Sequence, residues 1–152
     1  MTKSTSVNLH LCIAFALVFI PACILAGICF VIYSLFLWGG LSFLFTKGKV
    51  DESLWGSLVI LLFSVLCFIL EFGFIRLMFF YVSPRKERIF WVFTTSLFSL
   101  TLALLIASTI SENGLDNMVL AGLFYCAFYT VGSIWALYRV HQFIKNNPEQ
   151  LS

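Results

Sequence analysis

Glu71 is the residue of this sequence best suited to chemistry, because it is the one acid that lies well inside an apolar segment. A charge at the centre of a membrane helix costs about 2.5–3.5 kcal/mol on insertion scales. Burial disfavours the charged form, so we expect Glu71 to be protonated. Ser64 and Cys67 precede it at the 3–4 spacing that defines one helix face. This face is a candidate proton or cation site.

Polar groups on the other predicted helices fall at the same depth as Glu71. In the first helix this depth lies near Pro21, which removes one backbone hydrogen bond and frees the carbonyl of Leu17. The third and fourth helices supply hydroxyl groups there. The sequence therefore predicts a polar intramembrane site formed by Glu71, Ser64, Cys67, Ser99, Thr95, Tyr129 and Thr130. The alternative is structural, because Ser, Thr, Cys and protonated Glu can also join helices by hydrogen bonds.

Small residues recur along the fourth apolar segment. Small side chains let membrane helices approach closely, so this stripe predicts helix packing, either within the chain or between copies of it. The predicted packing residues are Gly122, Cys126, Gly132, Ser133 and Ala136.

Catalytic and metal-binding signatures are missing from the sequence. The five cysteines contain no C-x-x-C pair, and the two histidines, His10 and His141, lie at opposite ends of the chain. No hydrolase, nucleotide-binding or metalloprotease motif occurs. We therefore expect no enzyme, no metal site and no cofactor. The net charge of +2, without a basic block, gives no indication of nucleic-acid binding.

Four long apolar segments must position these residues. Hydrophobic residues make up 61% of the 152-residue chain and charged residues 11%, against about 45–50% and about 25% in soluble domains. A helix needs about 20 apolar residues to cross the hydrocarbon core. The sequence thus predicts a single all-α integral membrane domain over residues 1–152, a four-transmembrane-helix bundle with spans at about 11–35, 54–81, 89–110 and 118–138.

The first apolar segment is longer than one crossing requires. It runs from Leu11 to Phe45 without a charge, and Gly39-Gly40 comes too late to leave room for a second crossing. Residues 36–45 either extend the first helix or lie in the membrane interface, and the sequence leaves both interpretations open.

The distribution of Lys and Arg predicts the orientation. With four crossings, both termini and the middle joint share one side of the membrane. Lys47 and Lys49 lie on the opposite side. Cytoplasmic segments carry the excess of positive charge, which predicts an N-in, C-in topology. The richer side holds Lys3, Arg76, Arg85, Lys86, Arg88, Arg139 and Lys145.

These features favour a small multi-pass protein of the bacterial inner membrane that acts by binding. Apart from the lipid bilayer, the expected partner is another membrane protein or a second copy of the chain. An accessory subunit, an assembly factor or an immunity-type protein would have this architecture. The alternative function is a small transporter or channel with a proton- or cation-linked site at Glu71.

Overall fold

The computed structural model describes residues 9–47, 52–80, 82–112 and 117–147, and those residues form helices and no strands. Each helix is long and apolar enough to cross a membrane, which suggests a multi-pass integral membrane protein. The four helices are α1 (Leu9–Lys47), α2 (Glu52–Phe79), α3 (Pro84–Glu112) and α4 (Asn117–Asn146).

Helix α1 continues without interruption through the segment that the sequence left open. It is 39 residues long and contains residues 36–45 as well as Pro21. At 1.5 Å per residue it measures about 58 Å, nearly twice the ~30 Å hydrocarbon core. Residues 36–45 therefore extend the first helix.

The ends of α3 and α4 follow local backbone chemistry. Pro84 is the first residue of α3, where its missing N–H costs nothing, and the first helical hydrogen bond runs from the Glu87 N–H to the Ser83 carbonyl at 3.0 Å. Helix α4 continues beyond Tyr138 to Asn146 because no Gly or Pro interrupts it there. Both the N–H and the side-chain amide of Asn147 donate to the Phe143 carbonyl, which closes that helix.

Contacts divide the chain into two compact units. The α3–α4 unit comprises Met1–Ile13 and Arg76–Ser152, and the α1–α2 unit comprises Ala14–Ile75. Helices α1 and α2 therefore each contribute to both units. Residues 48–51, between α1 and α2, and residues 113–116, between α3 and α4, lie outside the described residues.

Aromatic edges join the two helices of the α1–α2 unit. The rings of Phe15 and Phe19 on α1 meet the ring of Phe74 on α2 at centroid distances of 5.4 and 5.7 Å, both edge to face. Further along α1, Gly27 approaches Phe68: a Cβ at Gly27 would lie 3.7 Å from Phe68 Cζ. These contacts define an antiparallel helix pair.

In the α3–α4 unit, α3 and α4 are also antiparallel. Phe98 stacks on Tyr129 with ring centroids 4.7 Å apart and an interplanar angle of 16°. Nearer the other end of α3, a Cβ at Gly122 would lie 3.6 Å from Leu105 Cδ1. The small residue there allows the two backbones to approach.

The exposed surface of the helices is apolar, unlike that of a soluble domain. Buried positions include several hydroxyl residues, whereas large apolar side chains dominate the exposed surface. Soluble monomers rarely expose contiguous apolar patches above a few hundred Å². This arrangement fits a lipid environment, in which exposed apolar side chains are solvated by acyl chains. The buried hydroxyl residues are Ser57, Ser64, Thr94, Thr130 and Ser133.

Candidate functional site

Glu71 lies in the α1–α2 unit beside two cysteines. The Cys23 thiol of α1 donates a hydrogen bond of 3.5 Å to the Cys67 carbonyl of α2. Glu71 follows Cys67 by one helical turn, and its carboxyl group lies near enough to Cys23 for an electrostatic interaction. Helix α1 therefore reaches this part of α2 through Cys23. Pro21, which the sequence placed at the depth of the predicted polar site, has an exposed side chain.

One oxygen of Glu71 has no hydrogen-bond partner. The Oε2 atom is buried, and none of the residues that the structure describes donates to it or accepts from it. A buried carboxylate without a partner is costly, whereas a protonated carboxyl group is much less so. The arrangement is therefore chemically suited to hold a proton, to exchange it, or to receive a donor from a ligand or partner.

Ser64 belongs to the same face of α2, but its hydroxyl is already used. It is buried and donates to the Ile60 carbonyl of its own helix at 2.9 Å. Such a bond to the preceding turn satisfies the hydroxyl without joining two helices. Thr94 in α3 bonds its own helix in the same way, through the Phe90 carbonyl. On the α2 face of Ser64, Cys67 and Glu71, the side chains still able to form hydrogen bonds are therefore those of Glu71 and Cys67.

The remaining predicted site residues lie in the α3–α4 unit. Tyr129 is fully buried and stacks on Phe98. The hydroxyl oxygens of Thr95 and Thr130 are buried, and neither has a hydrogen-bond partner within the described part of the chain. Ser99 is half-buried. The tyrosine therefore has a packing role, and the two threonines retain hydrogen-bonding capacity.

The predicted polar site draws on residues of both units. The α1–α2 unit brings Cys67 and Glu71 together with Cys23, which was not among the predicted site residues. The α3–α4 unit holds Ser99, Thr95, Tyr129 and Thr130. One layer formed by all of them stays a prediction. The only sequence signal for Cys23 was its position, about half a helical turn beyond Pro21.

The predicted packing residues of α4 differ in burial. Cys126, Ser133 and Ala136 are buried, whereas Gly122 and Gly132 are half-buried. The Ser133 hydroxyl donates to the Thr130 carbonyl at 3.0 Å within the same helix. A stripe of small buried side chains along α4 is what close helix packing requires.

A groove lies along α1 within the α1–α2 unit, and we call it the α1 groove. Its volume is about 470 Å³. Gly27 is one of its lining residues and also lies close to Phe68 of α2. Its walls are aliphatic and largely exposed. The residues that line the α1 groove are Cys23, Ile24, Gly27, Ile28, Val31 and Ile32.

The described residues contain no group of three His, Cys, Asp or Glu side chains that could hold a metal ion. His10 and His141 are exposed, and the five cysteines are free thiols. The Glu71 cluster, formed by Cys23, Cys67 and Glu71, and the α1 groove are therefore two candidate sites. Comparisons of the chain with protein-family models, curated proteins and solved structures find no match.

Proposed function

We propose that this chain is a multi-pass membrane protein that acts by binding a transmembrane helix of a partner protein in the α1 groove. The observation that carries the proposal is the groove itself, an open apolar groove lined mainly by exposed aliphatic side chains of α1. Binding through helix faces suits a chain whose described residues are almost entirely helical. The proposed activity is binding rather than catalysis.

The physical basis is packing in lipid. The hydrophobic effect does not drive helix association inside a bilayer, because acyl chains are as apolar as Leu. Association depends on van der Waals contact, which is greatest where small residues let backbones approach. Cys23 and Gly27 are small lining residues that also adjoin α2, so the exposed Ile24, Ile28 and Val31 would supply most of the surface that meets a partner helix. A helix with a complementary ridge would fill this space better than mobile acyl chains.

We further propose that the chain inserts N-in, C-in into a bacterial inner membrane. Seven of the nine Lys and Arg residues fall on the side that holds both termini and the joint between α2 and α3. This excess of positive charge supports a cytoplasmic location for that side.

The test places a photo-crosslinking residue at Ile24, which lines the α1 groove, and at Leu25, which is equally exposed but lies about 100° away around α1 and outside the groove lining. Irradiation of native membranes should yield one discrete adduct at Ile24 and none at Leu25. The substitution Val31→Trp should abolish the adduct and co-purification of the partner, whereas the control Leu25→Trp should not. An adduct of twice the chain mass would identify a second copy as the partner. Equal adducts at both positions would refute a specific groove interaction.

A second candidate function rests on a different observation, the buried Glu71 Oε2 that lacks a hydrogen-bond partner among the described residues. Ionisable groups inside membrane proteins commonly mark proton or ion pathways. A small transporter or channel would load a proton or cation at this carboxyl group. Cys23 and Cys67, which adjoin it, would then shape the immediate environment.

Flux measurements in liposomes separate the two functions. If Glu71 carries ions, purified protein alone should show proton-coupled flux, Glu71→Gln should abolish it, and Glu71→Asp should retain part of it. Insertion and thermal stability should be unchanged in Glu71→Gln, because the amide is nearly isosteric with a protonated carboxyl group. If Glu71→Gln and Glu71→Leu both behave as wild type, Glu71 has no functional role.

A further inference from the structure

We propose that the α3–α4 unit holds a binding site for an anionic phospholipid, in a basic groove where α3 begins and α4 ends. This inference rests on the proposed membrane insertion, but it is independent of a partner at the α1 groove. The basic groove consists of two adjoining cavities that share Arg88 and Val92. The residues that line them are Arg85, Arg88, Ile89, Val92, Phe93, Ser96 and Ile144 for the larger cavity and Arg88, Val92, Ile134, Leu137, Tyr138 and His141 for the smaller.

The exposed charged side chains of residues 84–88, at the mouth of the basic groove, are all positive, although this segment also contains an acid. The segment PRKER contains one acid among three cations. The structure buries Glu87 completely, while Arg85, Lys86 and Arg88 are exposed. The acid is thereby removed from the surface, and the arginines present positive charge to a ligand. Arginine also forms bidentate contacts with phosphate oxygens.

Below this mouth the groove becomes apolar. One cavity continues past Phe93 and Ser96, and the other continues past Ile134 and Leu137. Their volumes are about 750 and 320 Å³, within the range of roughly 300–1,000 Å³ that ligand sites span. Two apolar branches under a shared cation suit a headgroup with two acyl chains.

The length of the groove matches one leaflet of a bilayer. Arg85 and Ser96 are eleven residues apart on α3, which corresponds to about 16 Å along the helix axis. This is about half of the ~30 Å hydrocarbon core. The arginines would therefore lie at headgroup level and the apolar walls beside the acyl chains. Basic pockets between membrane helices bind the headgroups of anionic lipids by this geometry.

The experiment titrates the full-length protein in neutral detergent with palmitoyl-oleoyl phosphatidylglycerol and, separately, with the matching phosphatidylcholine, and measures bound lipid by native mass spectrometry. Phosphatidylglycerol should bind more tightly than phosphatidylcholine. A basic residue near anionic lipid contributes roughly fivefold in affinity, so Arg85→Gln/Arg88→Gln should weaken binding by about 30-fold. The control Arg139→Gln/Lys145→Gln removes the same charge from exposed residues outside the basic groove and should bind as wild type.

A second pair of variants tests the apolar walls without changing charge. Val92→Trp should fill both cavities and reduce phosphatidylglycerol binding, whereas Ile110→Trp, at an exposed position near the other end of α3, should not. This pair keeps the proposal testable if the double arginine variant fails to fold. Equal affinity for both lipids, equal loss in the charge control, or displacement of lipid by millimolar inorganic phosphate would each overturn the proposal. The last result would indicate a site for soluble anions.

Discussion

Phe74 should be the main packing residue of the α1–α2 unit, and its truncation should separate the two helices. The ring is completely buried and makes edge contacts with Phe15 and Phe19 across the helix pair. In lipid, Phe74→Ala loses packing rather than transfer from water. Removing the ring leaves on the order of 100 Å³, which at ~24 cal/mol per Å³ corresponds to about 2.4 kcal/mol. Two aromatic pairs add about 0.5–1.5 kcal/mol each where they are fully lost.

We therefore expect Phe74→Ala to lower the free energy of unfolding by about 2–5 kcal/mol, a range that agrees with the 3–5 kcal/mol common for buried Phe→Ala. Equilibrium unfolding in mixed micelles of detergent and sodium dodecyl sulfate measures this change. The matched control is Phe72→Ala, because Phe72 lies on the same helix with 66% of its side chain exposed. It should change stability by less than about 0.5 kcal/mol.

A double-mutant cycle isolates the aromatic contact itself. Phe15→Leu and Phe74→Leu keep most of the volume and remove the rings, so their coupling energy should be about 0.5–1.5 kcal/mol. Equal destabilisation by Phe72→Ala and Phe74→Ala, or a coupling energy of zero, would refute the packing argument for this helix pair.

Three further predictions concern packing and topology. Gly27→Ala should fold and gain up to about 1 kcal/mol of stability in detergent, because the new Cβ meets Phe68 at an ordinary 3.7 Å; a loss of stability would contradict this geometry. Ser133→Ala should cost less than about 1 kcal/mol, since its bond stays within the helix, whereas Ser133→Leu should cost about 1–3 kcal/mol by overpacking a fully buried site; micelle unfolding would show whether the order is reversed. A C-terminal green fluorescent protein fusion should fluoresce and a C-terminal alkaline phosphatase fusion should be inactive, and the opposite pattern would reverse the proposed topology.

The existence and approximate bounds of the helices could be predicted from the sequence. Hydropathy acts along the chain, so a run such as Leu54–Phe79 indicates a helix whatever its neighbours are. The positions of the helix ends were predicted less accurately. Helix α4 passes Tyr138 and continues to Asn146, because polar residues end a membrane span without ending a helix. Helix α3 begins at Pro84, five residues before the predicted span, because Pro suits the first position of a helix.

The composition and linear order of the chain alone determined four apolar helices, the position of Glu71 well inside an apolar segment and the asymmetry of positive charge. Only the tertiary structure decided which side chains meet. In the tertiary structure, Cys23 bonds to Cys67 beside Glu71, and a groove lies along α1 at Gly27. Glu87 is buried, whereas Arg85 and Arg88 of the same segment are exposed. The reason is physical: hydropathy is a property of each segment. Contact and burial depend on how two helices rotate about their axes, and four uniformly apolar segments leave that rotation unspecified.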